Sequence, residues 1–176
     1  MSLLRLDRPR ETTALLLAIA AIGVVGMAWG FELIGGFVPC RLCLEQRLPY
    51  YFGAPLALFA FAADRTGWPA WVARVALALL AGLFAWGLSV GFYQAGAEWG
   101  YWPGPSDCSS PHGQTMPMGA GDLLGAIAKT HVVDCTKPQI RILGLSFAGW
   151  NVIASSGLIA VTLWAAFIGS FARRGE

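Results

Sequence analysis

Uncharged length is the feature that most constrains this chain. No Asp, Glu, Lys or Arg occurs in residues 12–31, 75–97 or 142–172, save for Arg141 just ahead of the last run. A helix needs about 20 apolar residues to cross the hydrocarbon of a bilayer, and each of these runs supplies them. A fourth run, 48–63, is shorter and carries Pro49 and Pro55. Pro49 is tolerated in a first turn, where its missing N–H costs little, whereas Pro55 lies deeper and is expected to kink the helix. The turn 42–47 is expected to extend this helix outward and make up its length. Only 12% of the 176 residues are charged and 56% are hydrophobic, against about 25% charged in an ordinary soluble domain. The sequence therefore predicts an all-α integral membrane protein, a four-transmembrane-helix bundle forming one domain over 1–176. Its spans are expected at about 12–34, 46–63, 71–97 and 146–170, with loops at 35–45 and 98–145.

The first run follows Arg5, Arg8 and Arg10, as the apolar core of a signal peptide would. Such a core is only about 7–15 residues and ends at small residues. This run is longer and continues through Met27, Trp29 and Phe31, so it is read as an uncleaved span. The long second loop holds five prolines, both histidines and mixed charges. Within it, 122–131 has helical spacing behind a capping Asp122 and is expected to lie as a short helix at the membrane interface. With four spans both termini share a side. That side carries Arg5, Arg8, Arg10, Arg65, Arg74, Arg173 and Arg174 in short segments, while Arg41, Arg47, Lys129, Lys137 and Arg141 are spread over the other. The positive-inside rule then makes both termini cytoplasmic. A net charge of +2 without a basic, aromatic-laced patch gives no sign of a nucleic-acid partner. Gly26/Gly30 and Gly87/Gly91 offer small-residue faces for close helix packing.

In the short first loop lies Pro39-Cys40-Arg41-Leu42-Cys43-Leu44-Glu45-Gln46-Arg47. The other cysteines, Cys108 and Cys135, lie in the second loop, so all four face the same non-cytoplasmic side, where disulfides persist. Three chemistries compete. Two structural disulfides are plausible for Cys108–Cys135, a closure over about 28 residues worth about 3–4 kcal/mol in the chain-entropy model. They are weak for Cys40–Cys43, whose ring constrains little. A metal site would use the spacings Cys40-x-x-Cys43, Cys108-x-x-x-His112 and His131-x-x-x-Cys135, but these are scattered over two loops, and no metal is expected. Dithiol–disulfide exchange between the pairs is favoured, because C-x-x-C is the usual redox unit. If Cys40–Arg47 opens the second helix, Cys43 and Arg47 are i,i+4 neighbours, and the cation lowers the thiol pKa.

At these residues the sequence resembles the disulfide-bond-formation protein B (DsbB) family of bacterial inner membranes. Pro-Cys-x-x-Cys-x-x-x-Arg in the first loop carries the likeness, as do Trp102-Pro103-Gly104-Pro105-Ser106-Asp107-Cys108, Asp134-Cys135 and Gly144-Leu145-Ser146. The resemblance implies a relay with its cysteines in the periplasm. A reduced, thioredoxin-fold DsbA-like oxidase attacks the Cys108–Cys135 disulfide at Cys108. Electrons pass by exchange between Cys135 and Cys40 to the Cys40–Cys43 pair. Cys43 faces a membrane quinone, ubiquinone or menaquinone, whose ring Arg47 holds. Two departures stand out. Gln94 occupies a position where many relatives carry histidine, and Ile140 one where they often carry tryptophan. His112 and His131 match no family motif and are read as solvated loop residues. A vitamin-K-epoxide-reductase-like protein is the nearest enzymatic rival, but it places its C-x-x-C at the last span. A non-enzymatic membrane protein with structural disulfides or zinc is the rival from another class.

Overall fold

The computed structural model describes residues 9–104 and 135–171, with side chains to 167. Cys108, the expected helix at 122–131, both histidines and the terminal arginines Arg5, Arg8, Arg173 and Arg174 lie outside the described residues. Within them the chain is helical: α1 Pro9–Leu33, α2 Arg41–Glu45, α3 Leu48–Arg65, α4 Ala70–Glu98 and α5 Phe147–Phe171. The four long helices pack in a ring, α1 on α3, α3 on α4, α4 on α5 and α5 back on α1. Three helical segments are long and apolar enough to cross a membrane: α1, α4 and Phe147–Phe167 of α5. The fourth long helix, α3, is shorter at 18 residues, contains Pro55 and ends on Asp64-Arg65.

Large apolar side chains point outward. Leu16, Ile19, Met27, Phe92 and Phe167 are all more than half exposed. The interior is built of small residues around a few large ones, with Ala14, Ala18, Ala21, Ala57, Ala60, Ala76 and Ala165 surrounding Leu17, Tyr50, Leu77, Leu80 and Phe84. This is the distribution expected in lipid, where apolar surface gains nothing by turning inward and helices associate by close packing. Gly87 and Gly91 behave as expected. A Cβ on Gly87 would sit 3.1 Å from Pro49, and one on Gly91 would sit 2.9 Å from the Asn151 amide. The expectation for Gly26 and Gly30 is corrected, since among the described residues nothing lies within 4 Å of a Cβ at either. They face away from the bundle.

Polar ties hold the ends. At one end Arg10 pairs with Asp64 at 3.3 Å and Arg65 pairs with Glu11, joining the start of α1 to the end of α3. Mid-bundle, the buried Tyr50 hydroxyl donates to Asn151 Oδ1 at 2.6 Å and lies 3.0 Å from Ser155 Oγ. Before α5 the chain makes a two-residue turn with Leu143 at φ 54° and Gly144 at φ 85°, the signature of type I′. The turn delivers Ser146 to the start of α5, where its Oγ accepts from the Gly149 N–H at 3.2 Å.

Candidate dithiol site

The C-x-x-C pair does not open the second long helix, contrary to the sequence reading. Cys40 caps a separate five-residue helix, α2, with extended dihedrals (φ −76°, ψ 169°), and its Sγ accepts from the Cys43 N–H at 3.2 Å. That helix ends at Glu45, and α3 begins afresh at Leu48 with Arg47 at its N-cap and Pro49 in its first turn. Pro49 fits this break, because its ring is tolerated in the first turn of a new helix. The break puts Arg47 in a different setting from the one expected. Its guanidinium donates to Glu32 Oε2 at 2.6 Å, tying the end of α1 to the start of α3.

Both sulfurs of the pair are free thiols, Cys40 buried and Cys43 half-buried. Gln94 of α4 stands against both, its Nε2 3.6 Å from Cys40 Sγ and 3.5 Å from Cys43 Sγ. Gln94 is itself oriented by neighbours. Gln46 Nε2 donates to its Oε1 at 2.6 Å, and its own Nε2 donates to Glu98 Oε1 at 3.3 Å. The two thiols differ sharply in acidity. The Cys43 thiol is lowered from 9.0 to about 7, first by the hydrogen bond from Cys40 and then by Gln94, against burial and the charge of Glu98. Cys40 is pushed up because its proton is held by Cys43, with burial adding to the effect. The pair therefore stores one proton on Cys40 and leaves Cys43 as the thiolate, the nucleophilic form. Arg47 is not among the causes of this shift, which corrects the expected i,i+4 activation.

Cys135 is 2% exposed and packs in one cluster with Cys40, Leu42, Cys43 and Val90. It is disulfide-bonded. Its segment is pinned to the first loop where Gln139 Nε2 donates to the Val38 carbonyl at 2.5 Å, two residues before Cys40. Beside the cysteines opens a cavity of about 430 Å³ between α1, α3, α5 and the segment after Cys135. Its wall is chiefly apolar, from Val24, Phe31, Ile140, Phe147 and Ala154 among others, and it is edged by both thiols, Arg47, Gln94, Glu98 and Asn151. Cys40, Cys43 and Arg47, all singled out in the sequence, thus stand around one space, and Cys135 packs in one cluster with Cys40. Sequence reading missed Gln46, Glu32 and Glu98 as members, and noted Gln94 only as a departure. Polar residues at the edges of apolar runs, with 94 and 98 one turn apart, were the available signal.

Apolar helices that seat a free dithiol against a third, disulfide-bonded cysteine define a helical membrane protein of disulfide chemistry. The chain belongs to the DsbB family, whose model, described as disulfide bond formation protein DsbB, matches residues 10–165. It is similar to the disulfide bond formation protein B of Verminephrobacter eiseniae, 28% identical over 91% of this chain and 89% of that one. It is also similar to that of Nitrosomonas europaea, 31% identical over 85% of this chain and 90% of the other, and to that of Saccharophagus degradans, 29% identical over 93% and 96%. No solved structure matches it.

Proposed function

We propose that this chain is a protein-dithiol:quinone oxidoreductase. It reoxidises a periplasmic, thioredoxin-fold oxidase of the DsbA type and delivers the electrons to ubiquinone or menaquinone in the inner membrane. The observation that carries the reading is the burial of Cys135 against Cys40 at the edge of a largely apolar cavity. In this reading Cys108 meets the partner and pairs with Cys135. Exchange between Cys135 and Cys40 moves the electron pair to the first loop, and Cys43 is the thiolate nearest the acceptor. The α3 helix is the fourth span, both termini are cytoplasmic and the cysteines are periplasmic.

The residues present suit a quinone. The cavity lies in the usual volume range of small-molecule sites, about 300–1,000 Å³, and combines an apolar wall with a few polar groups, as such sites do. A bound quinone would supply a two-electron sink confined to the bilayer. Arg47 is the cation that holds the ring, and its pairing with Glu32 fixes where its guanidinium stands. Phe31 and Phe147, with ring centroids 4.9 Å apart, bound the apolar wall.

The test is anaerobic addition of a short-chain quinone to the fully reduced full-length protein, with thiols counted afterwards. Two thiols should disappear per quinone consumed. Cys43→Ser should abolish that reaction and leave the Cys108–Cys135 disulfide able to form. Quinone reduction at an undiminished rate by the Cys43→Ser protein would overturn the order of the relay, and persistence of all thiols in the unmutated protein would overturn the activity itself.

A further inference from the structure

One ionisable group on the wall of the dithiol cavity has no part in the relay as described. Glu98, the last residue of α4, lines the same cavity as both thiols and Arg47. Its Oε1 accepts from Gln94 Nε2, the amide that also stands 3.5 and 3.6 Å from the two sulfurs. Its Oε2 is buried and has no hydrogen-bond partner among the described residues. Leaving a buried polar atom unsatisfied costs about 1–3 kcal/mol, and more for a charged group. The carboxylate also opposes ionisation of Cys43. On both counts Glu98 works against the stability of the site and against its reactive form. Its place on the thiols' own hydrogen-bond network is what such a cost would secure.

Closing the Cys40–Cys43 disulfide breaks two S–H bonds, forms one Sγ–Sγ bond, and sends two electrons and two protons to the quinone, which becomes a quinol. Cys43 gives up its proton readily, while Cys40 retains its own. The Cys40 proton is therefore the one that needs a base. We propose that Glu98 is that base: it takes up the proton leaving Cys40 as the disulfide closes and returns it to the acceptor side of the cavity. Gln94 is the positioning residue that holds the carboxylate and the two sulfurs in one register. The other charged groups on the cavity wall are Glu32 and Arg47, paired with each other, and Lys137 from the segment after Cys135. The part of α5 that lines it carries no charge. Glu98 is thus the carboxylate on this wall whose second oxygen is left for a proton.

This inference rests on the quinone reading, and the experiment separates the two. Glu98→Gln is made in the full-length protein, and three quantities are read: the pH midpoint of Cys43 thiolate formation by ultraviolet absorbance, the rate of quinone-dependent disulfide closure, and the rate of attack by an external dithiol on the Cys135 disulfide. The expected result is a lower thiolate midpoint, closure slowed tenfold or more as for loss of a general base, and unchanged external attack. A purely repulsive role for Glu98 predicts the opposite for closure, which would then be unchanged or faster as the thiolate becomes easier to form. Closure at the unmutated rate, or equal loss in both reactions, overturns the proposal. Failure of the unmutated protein to reduce quinone strikes the underlying reading instead. Should Glu98→Gln not fold, Glu98→Ala carries the test: quinone-dependent closure slowed tenfold or more with external attack unchanged supports the proposal, and closure at the unmutated rate overturns it.

Discussion

At the scale of single residues, the site works by making two chemically equal thiols unequal. Cys40 caps α2 and is buried at 5% exposure; Cys43, one turn on, is half-buried and accepts the Cys40 proton as a hydrogen bond. That bond is the leading reason the Cys43 thiol falls from 9.0 to about 7. The sign follows directly. A lowered thiol pKa means thiolate above pH of about 7 and loss of thiolate as the pH falls through that value. In the reduced protein, alkylation by iodoacetamide should therefore rise through a midpoint of about pH 7 at Cys43, while Cys40 stays unmodified. Cys40→Ala removes the donor, and the Cys43 midpoint should climb back toward 9.0, read by mass mapping of alkylated peptides across a pH series. A midpoint that stays near 7 in that variant would assign the shift to Gln94 instead. The C-x-x-C pair and the direction of its thiol's pKa shift were legible in the sequence. The source of the activation was not, because it depends on where one helix stops and the next begins, and on a glutamine 51 positions away in the chain.

At the scale of elements, the long uncharged runs made three apolar helices legible, and a fourth segment with two prolines was legible as something shorter. The break between α2 and α3 was the unreadable part. Pro49 is compatible both with the first turn of a new helix and with a helix begun slightly earlier, and only tertiary contacts choose. Those contacts fall on Gly87, which packs on Pro49, and on Gly91, which packs on Asn151, Gln46 and Val152. The two G-x-x-x-G patterns are indistinguishable as sequence, yet one is filled and the other is open. The difference is measurable. Gly91→Ala pushes a methyl group against Asn151 and Gln46, the residue that orients Gln94, and overpacking of this kind costs about 1–3 kcal/mol. Gly26→Ala meets nothing and gains helix propensity worth up to about 1 kcal/mol. Thermal unfolding in detergent should show Gly91→Ala lowering Tm and Gly26→Ala leaving it unchanged or raising it. A fall of similar size in both would mean that Gly26 packs on something outside the described residues.

At the scale of the whole molecule, the bundle is tied differently at its two ends, and the difference suits the relay proposed above. The end carrying Arg10, Glu11, Asp64 and Arg65 is fixed by two ion pairs between α1 and α3, three of whose four members are buried. At the cysteine end, Arg47–Glu32 secures the α1–α3 corner, while the segment carrying Cys135 is held to the first loop by packing and by a hydrogen bond from an exposed side chain, Gln139 to Val38. An exchange between Cys135 and Cys40 needs the two sulfurs to come together and then part. A hydrogen bond from an exposed side chain is a tie that can open readily, whereas breaking a buried salt bridge costs about 3–5 kcal/mol. Gln139→Ala removes this hydrogen bond and one polar group of the cavity wall, while the sulfurs, Arg47, Gln94 and Glu98 keep their own partners. A lost hydrogen bond of about 0.5–1.5 kcal/mol should slow the step that carries electrons from the Cys135 disulfide to the Cys40–Cys43 pair by about 2- to 13-fold. Direct oxidation of the reduced Cys40–Cys43 pair by quinone should be slowed less, because the two thiols, Arg47, Gln94 and Glu98 keep their contacts. Rapid-mixing measurement of the two half-reactions distinguishes them, and equal slowing of both would show that Gln139 shapes the dithiol cavity rather than the approach of the second loop.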